Sequence, residues 1–393
     1  MSRRRAFVYV QHLLGIGHLK RAATLARALV AEGLEVTLAS GGFAVPGIGW
    51  DGKQRGAHFV QLPPAGAADA GFKTLLDEAG REIDGEWKRK RGEALLAAWR
   101  AAEPHVLVLE LFPFGRRQMR FELLPLLEAA TAAARRPAVV CSVRDILGGG
   151  QKDPERQDEM LELVERYFDC VLVHGDRSLI GFERTFRHAA RIAERIEYTG
   201  YIVDPASAPG SDAGKEEVIV SAGGGAVGAR LLETAIRARP LSALRGHAWR
   251  ILAGINLQNE IFARLAQLIA EIGDGRVLLE RARPDFTTLL ANCALSVSQA
   301  GYNTLIEIAQ AGARAVAVPF AGGHETEQSL RARCFADRDL LELVDESALA
   351  PETLAAAIDR AARRPRPAPG AIDLGGAQRS AASIARRAGE KTW

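Results

Sequence analysis

The stretch GIGHLKRA, Gly15 to Ala22, follows the apolar run Phe7–Val10 after a short loop. Glycines at a strand-to-helix turn allow a tight loop and close approach of a ligand. His18 stands at the entrance of the helix. A neutral imidazole there can take a proton from a hydroxyl near pH 7, and a helix N-terminus disfavours the imidazolium. His18 is therefore a candidate general base, with Gly15 and Gly17 lining the place of the hydroxyl-bearing acceptor. The alternative role is capping the helix or orienting the acceptor. The pattern is not a full G-x-G-x-x-G and lacks an acidic ribose partner, which argues against dinucleotide binding.

A second group lies between Val297 and Gln328, VSQAGYNTLIEIAQAGARAVAVPFAGGHETEQ. It reads as strand, turn, helix, strand and loop. Gly301 leaves room for a ligand at the start of a helix whose free N–H groups and dipole favour an anion. Asn303 and Thr304 lie in the first turn, and Glu307 follows Gly301 by six residues. His324, Glu327 and Gln328 come in the loop after Pro319 and Phe320. Upstream, SAGGGAVGAR places Gly223, Gly224 and Gly225 before another helix, a pattern suited to an anion nest, with Arg230 able to add charge. A Gly-rich turn alone serves equally well to pack a helix on a sheet. Taken together, these positions can hold a diphosphate, a ribose and a sugar, which points to a nucleotide-sugar enzyme.

The Val297–Gln328 segment resembles the donor half of GT-B glycosyltransferases of the family-28 type, which includes the N-acetylglucosaminyl transferase of peptidoglycan synthesis. GIGH resembles that family's GGH loop, and the three glycines resemble its GGS-type loop. PFGRR and VRDIL resemble segments of a group of bacterial predicted glycosyltransferases. The resemblance implies an α/β protein of GT-B type, with two doubly wound Rossmann-like domains facing a central cleft. It implies that Glu307 grips the ribose, that His324, Glu327 and Gln328 meet the donor sugar, and that Arg283 and Phe286 lie at the nucleobase. Glu327 stands where the peptidoglycan enzyme has Gln, in a loop one residue longer. The implied reaction is an inverting transfer from a UDP-linked sugar to a hydroxyl, without metal or cofactor. Two readings remain beside it: a nucleotide-sugar hydrolase of the pseudaminic-acid pathway type, whose N-terminal loop GIGHLKRAATLARAL also resembles, and a non-catalytic nucleotide-binding module.

Other charged residues end strands. Arg116 and Arg117 are adjacent and suit a carboxylate or phosphate on the acceptor. Asp145, in SVRDIL, is a second candidate base or a partner for Arg144. In GEWKRKRGEALLAAWRAA, Gly85 to Ala102, four basic residues are flanked by Trp87 and Trp99. Such a helix can lie on an anionic membrane, where a lipid-linked acceptor would be found, or it can be a solvated face. A small-metabolite acceptor is the other expectation.

The elements that must position these residues follow from composition and pattern. The 393 residues are 48% hydrophobic and 25% charged, with a net charge of +3, so bulk charge gives no reason to invoke nucleic acid. The four cysteines, Cys141, Cys170, Cys293 and Cys334, form no C-x-x-C, and no apolar run suits a signal peptide or a span. A cytoplasmic protein is expected, with contact to the inner face of the membrane through residues 85–102. Strands and helices alternate twice, which means two parallel sheets covered on both faces. The expected division is 1–203, a linker at 204–214, 215–379, and a C-terminal helix and tail at 380–393 that crosses back to the first domain. The first half is expected to carry helices at Leu75–Ala102, Arg120–Ala134 and Asp158–Arg166.

Overall fold

The computed structural model describes residues 3–13, 15–48, 55–68, 74–148, 153–205, 210–223, 228–254, 257–272, 275–321 and 326–390. The chain forms two compact units, Met1–Ile202 with Gly375–Trp393, and Val203–Leu374.

The first unit runs β1 (Arg5–Val10), α1 (Gly17–Ala31), β2 (Glu35–Ser40), β3 (Ala57–Gln61), β4 (Gly66–Ala67), β5 (Leu75–Leu76), α2 (Gly85–Ala102), β6 (Val106–Glu110), α3 (Arg120–Ala132), β7 (Ala138–Arg144), α4 (Pro154–Tyr167), β8 (Cys170–His174) and β9 (Ile196–Tyr198). Seven strands form one parallel sheet in the order β3-β2-β1-β6-β7-β8-β9. Both faces of the sheet are covered, and the strand sequences show why. Phe7, Tyr9, Leu107, Leu109, Val139 and Cys141 pack with side chains of α2, α3 and α4. The alternate residues Ala6, Val8, Val106, Val108 and Val140 pack with those of α1 and of a helix from the end of the chain. A period of two with both phases apolar is the pattern of a doubly covered parallel strand.

The second unit runs β10 (Val218–Ser221), α5 (Ala229–Ala238), β11 (Trp249–Ala253), α6 (Asn259–Ile272), β12 (Val277–Arg281), α7 (Phe286–Asn292), β13 (Leu295–Ser298), α8 (Tyr302–Ala311), β14 (Ala315–Ala317), α9 (Glu327–Ala336), β15 (Glu342–Leu343) and α10 (Pro351–Arg363). Its six strands are also parallel, ordered β12-β11-β10-β13-β14-β15. The chain then returns to the first unit as α11 (Gly376–Glu390). There Ala377, Ala381, Ile384 and Ala388 join the core beside α1. Gly376 N–H donates to the Tyr201 carbonyl. A Cβ at Gly376 would meet Gly200 and Tyr201 backbone at 2.3–2.5 Å, so a glycine is required at this close crossing.

The long helix expected from Leu75 begins only at Gly85. Leu75 and Leu76 instead pair antiparallel with Ala67 and Gly66. Asp77 Oδ1 accepts from Ala79 and Arg81 N–H, and Gly80 takes φ +74°, which forms a turn before the helix. Asp84 then caps α2 by accepting from Trp87 N–H at 2.7 Å. Likewise, α4 starts earlier than expected, at Pro154, because Asp153 caps it. Among the described residues no helix is long and apolar enough to cross a membrane.

The structure also corrects the reading of α2 as a helix lying on a membrane. Arg91 is 0% exposed and Trp99 is 7% exposed. Trp87 packs edge-on to Phe121 of α3. The outward Lys90 and Arg89 pair with Glu86 and Glu93 one turn away. The apolar face that would enter lipid is already spent on the core. Arg91 lies 2.8 Å from buried Glu122 and donates to Gln11 Oε1 at 3.0 Å and to the Gly41 carbonyl at 3.2 Å. Tyr9 hydroxyl donates to Glu122 at 2.5 Å. Removing one member leaves the other charge buried and uncompensated, which costs about 3–5 kcal/mol. Arg91→Leu should lose about that much unfolding free energy in urea titration, and adding Glu122→Leu should restore part of it.

Candidate functional site

In the first unit the winding direction changes beside β1, which has β2 on one side and β6 on the other. Ligands of doubly wound sheets bind at the carboxyl ends of strands at such a point. Five side chains meet there, two from α1 and one each from β6, β7 and β8. His18 comes from the first turn of α1, and Arg21 lies one turn further on. Glu110 ends β6, Ser142 lies opposite it on β7, and His174 ends β8.

His18 Nδ1 lies 3.0 Å from Glu110 Oε1, and Arg21 donates to the same oxygen. Ser142 Oγ donates to Glu110 Oε2 at 2.6 Å. Burial opposes the ionisation of Glu110. The Arg21 guanidinium and the His18 and Ser142 hydrogen bonds outweigh it and hold the carboxyl well below its ordinary range. Glu110 is therefore an acceptor only. Arg21 Nη2 also lies 3.1 Å from His18 Nδ1, but its own bond goes to Glu110 Oε1. A lone pair on Nδ1 would face that carboxylate oxygen at 3.0 Å, so Nδ1 carries the proton and donates it. Nε2 is left with its lone pair and has no hydrogen-bond partner among the described residues. Burial, and then the Arg116 guanidinium, push the imidazole well below its ordinary value against the pull of Glu110, with Arg144 and Arg21 adding to the push. The His18 side chain, 14% exposed, is thus a neutral ring of fixed tautomer. Gly15 is exposed and Gly17 half-buried beside it. α1 has no side-chain N-cap and no acid in its first turn.

The adjacent arginines part company. Arg116 takes a left-handed backbone, φ +60°, and its Nε donates to the Gln11 carbonyl at 2.7 Å. Burial and the Arg144 guanidinium lower its pKa to about 10. Arg117 is exposed and turns to Glu159 of α4, 3.6 Å away. The expected pair of forks is not formed, because Arg117 opens a turn of 3-10 helix while Arg116 precedes it. Asp145 does not join the cluster either. It is 0% exposed, and its oxygens accept from Ile146 N–H at 2.8 Å and Tyr201 hydroxyl at 2.7 Å.

In the second unit the winding changes beside β10, between β11 and β13. Gly223 takes φ +70° and its N–H donates to Ser221 Oγ at 3.2 Å. Gly224 and Gly225 lie outside the described residues, as does His324. Arg230 is exposed and donates one guanidinium N–H to the Leu349 carbonyl at 3.2 Å. Gly301 directly precedes α8 with φ −61°, a backbone any residue adopts. A Cβ there would meet only Thr304 Oγ1, at 3.8 Å. Neither strain nor packing calls for glycine, so its bareness leaves space at the helix start. Asn303, Thr304 and Glu307 are half-buried on α8, with Asn303 and Thr304 in its first turn.

Three donor-side expectations shift. Arg283 is locked in a fork to Asp285, 2.7 and 2.8 Å, and in an ion pair with Glu280 at 3.1 Å, so it shapes its loop. Glu327 and Gln328 are not in a loop but in the first turn of α9. There Glu327 is buried against Arg331 at 2.9 Å, and Gln328 accepts from Phe320 N–H at 3.2 Å. An acid is favoured in a first helical turn, which explains the placement.

Glu110, Arg21, Ser142 and His174 were missed by sequence reasoning. The available signal was a polar residue in or ending an apolar strand, as in VLVLE and VLVH. Among the described residues no three His, Cys, Asp or Glu side chains converge as a metal site would require.

Residues 223–384 match the glycosyltransferase family 28 C-terminal domain. Solved structures align along nearly the whole chain. The glycotransferase of kitacinnamycin is 16% identical, with 98% of this chain and 100% of that chain covered and a TM-score of 0.64. MurG of Acinetobacter baumannii is 15% identical, with 97% and 99% covered and a TM-score of 0.57. A UDP-glucosyltransferase from Polygonum tinctorium is 14% identical, with 99% and 93% covered and a TM-score of 0.61. The chain thus has the GT-B fold, and its residues 223–384 are similar to the C-terminal domain of glycosyltransferase family 28.

Proposed function

We propose that the protein is an inverting glycosyltransferase that moves a sugar from a nucleoside diphosphate sugar, UDP-linked by resemblance, to a hydroxyl acceptor without a metal. The observation that carries this reading is the His18–Glu110 pair at a sheet switch point, in a chain whose residues 223–384 are similar to the family-28 C-terminal domain. His18 Nε2 takes the acceptor proton as the acceptor oxygen bonds to the anomeric carbon. Glu110 stabilises the imidazolium as it forms, an interaction that strengthens in the transition state. The bond from the anomeric carbon to the diphosphate breaks, and the growing negative charge falls to the N–H groups at the start of α8 and the glycines from Gly223. Glu307 accepts from the ribose hydroxyls. Arg116 serves a carboxylate or phosphate on the acceptor, while Arg117, held by Glu159, is left out. Asp145, engaged on both oxygens, is not the base. Gln328, which accepts from Phe320 N–H beyond the end of β14, borders the donor sugar.

Product analysis tests the reaction class. Release of nucleoside diphosphate that requires a hydroxyl acceptor supports transfer. Equal release with water alone, or none across a panel of UDP, dTDP, GDP and ADP sugars, rejects it.

Glu307→Ala should weaken nucleoside diphosphate binding about tenfold or more, since charge-assisted hydrogen bonds contribute roughly 1.5–3 kcal/mol each. Calorimetry giving parental affinity would remove Glu307 from the ribose. His18→Ala should lower turnover by about 10²–10⁴-fold with little change in donor affinity. His18 is active when neutral and its pKa lies below the ordinary value. The rate should therefore hold at neutral pH, fall only as the pH drops through the lowered value, and lose that acidic limb in His18→Ala.

A further inference from the structure

The carboxylate behind His18 is itself held from behind. Ser142 Oγ lies 2.6 Å from Glu110 Oε2 and 2.8 Å from His174 Nε2. His174 Nδ1 lies 2.9 Å from Thr199 Oγ1 and 3.4 Å from Ser380 Oγ of α11. Ser142, His174, Thr199 and Ser380 are each 1% exposed or less.

Proton counting gives this run one direction. Glu110 is ionised and can only accept, so the single Ser142 proton goes to it. Ser142 can then only accept from His174, which requires a proton on His174 Nε2. Burial first, and then Arg21, push the His174 pKa down to about 3, so the ring has one proton and Nδ1 must accept. A hydroxyl proton meets that need, from Ser380 at 3.4 Å, or from Thr199 at 2.9 Å in exchange for its donations to the Gly200 and Val173 carbonyls at 3.2 and 3.5 Å. Donation thus runs from a hydroxyl to His174, from His174 to Ser142 and from Ser142 to Glu110 Oε2, while Glu110 accepts from His18 on its other oxygen.

We infer that Ser142 and His174 are positioning residues, which hold Glu110 in one orientation and thereby fix the Nδ1–H tautomer of His18. This rests on His18 as the base. A carboxylate with its second oxygen released could turn within its pocket, and the His18 proton would then be shared between the two nitrogens. The charged and titratable groups facing these rings are part of the balance. They are Arg21 from α1, Arg116 from the segment after β6, and Arg144 and Asp145 at the end of β7. None of them supplies the donor that Ser142 gives to Oε2.

The test reads the tautomer directly. Protein labelled with ¹⁵N-histidine is examined by two-bond ¹H–¹⁵N correlation, with His18 assigned by its loss in His18→Ala. The parent should show a neutral Nδ1–H ring at pH 7. Ser142→Ala should show His18 as a tautomer mixture. Its nucleoside diphosphate release should fall about tenfold in kcat at unchanged donor KM, with the acidic limb moved upward because the less dispersed carboxylate charge favours the imidazolium. His174→Gln, whose amide can donate to Ser142, should keep the parental spectrum, and His174→Leu should lose it. A folded Ser142→Ala with parental His18 signals and acidic limb would overturn the inference. If Ser142→Ala does not fold, identical His18 spectra in His174→Gln and His174→Leu would overturn it equally. Full turnover in His18→Ala would instead overturn the base assignment, and with it the catalytic meaning of the relay, even where the spectra behave as expected.

Discussion

One buried carboxylate organises the first unit's site. Glu110 ends β6 among apolar side chains, where an ionised group is costly unless it is paired and hydrogen-bonded. Arg21 supplies the charge, and His18 and Ser142 supply the hydrogen bonds. Arg21 and His18 share the start of α1, so satisfying Glu110 also fixes that helix against the sheet. A demand of stability and a demand of chemistry meet in the same atoms. His18 is oriented because the carboxylate behind it must be neutralised.

The arginines around this carboxylate set its electrostatics. Arg21 neutralises Glu110. Arg116 and Arg144 then add positive charge near His18, which keeps the imidazole neutral. The raised like-charge density is also visible in Arg116 itself, whose pKa is lowered by burial and by Arg144. Such a pocket favours an anion beside His18, because an anion relieves repulsion between the like charges. In the second unit the polar groups are arranged differently. Arg283 and Glu327 are tied to Asp285 and Arg331, and Arg230 donates one N–H to Leu349. Backbone stays open there, at Gly301 and the start of α8.

The sequence carried the architecture well, because a parallel sheet covered on both faces writes two interleaved apolar phases into each strand. His18 was legible because its loop, glycines and helix are contiguous. Glu110 was not, because its partner lies ninety-two residues away, and the adjacency of β1 and β6 is a property of strand order in the sheet. Arg116 and Arg117 misled because neighbours in sequence diverge where a helical turn begins. In α2 the four basic residues drew attention to charge. The spacing Arg91, Leu95, Trp99 was the better guide, since steps of four place all three on one face, and all three are buried. The turn at Asp77–Arg81 escaped notice because its hydrogen bonds come from a single aspartate, which no periodicity records.

The return of α11 to the first unit has a consequence for how the protein is made. Residues 203–374 are in effect an insertion between β9, the edge strand of the first sheet, and the helix that covers one of its faces. Ala381 and Ile384, both 0% exposed, are translated after the whole of the second unit. On the ribosome, the second unit can therefore bury its core before the first has received its final helix. The first unit waits with part of its sheet uncovered along Val8, Val108 and Val140. The half of the molecule that is first in sequence is the last to be sealed, and a nascent chain stalled before residue 376 would present that apolar face to chaperones.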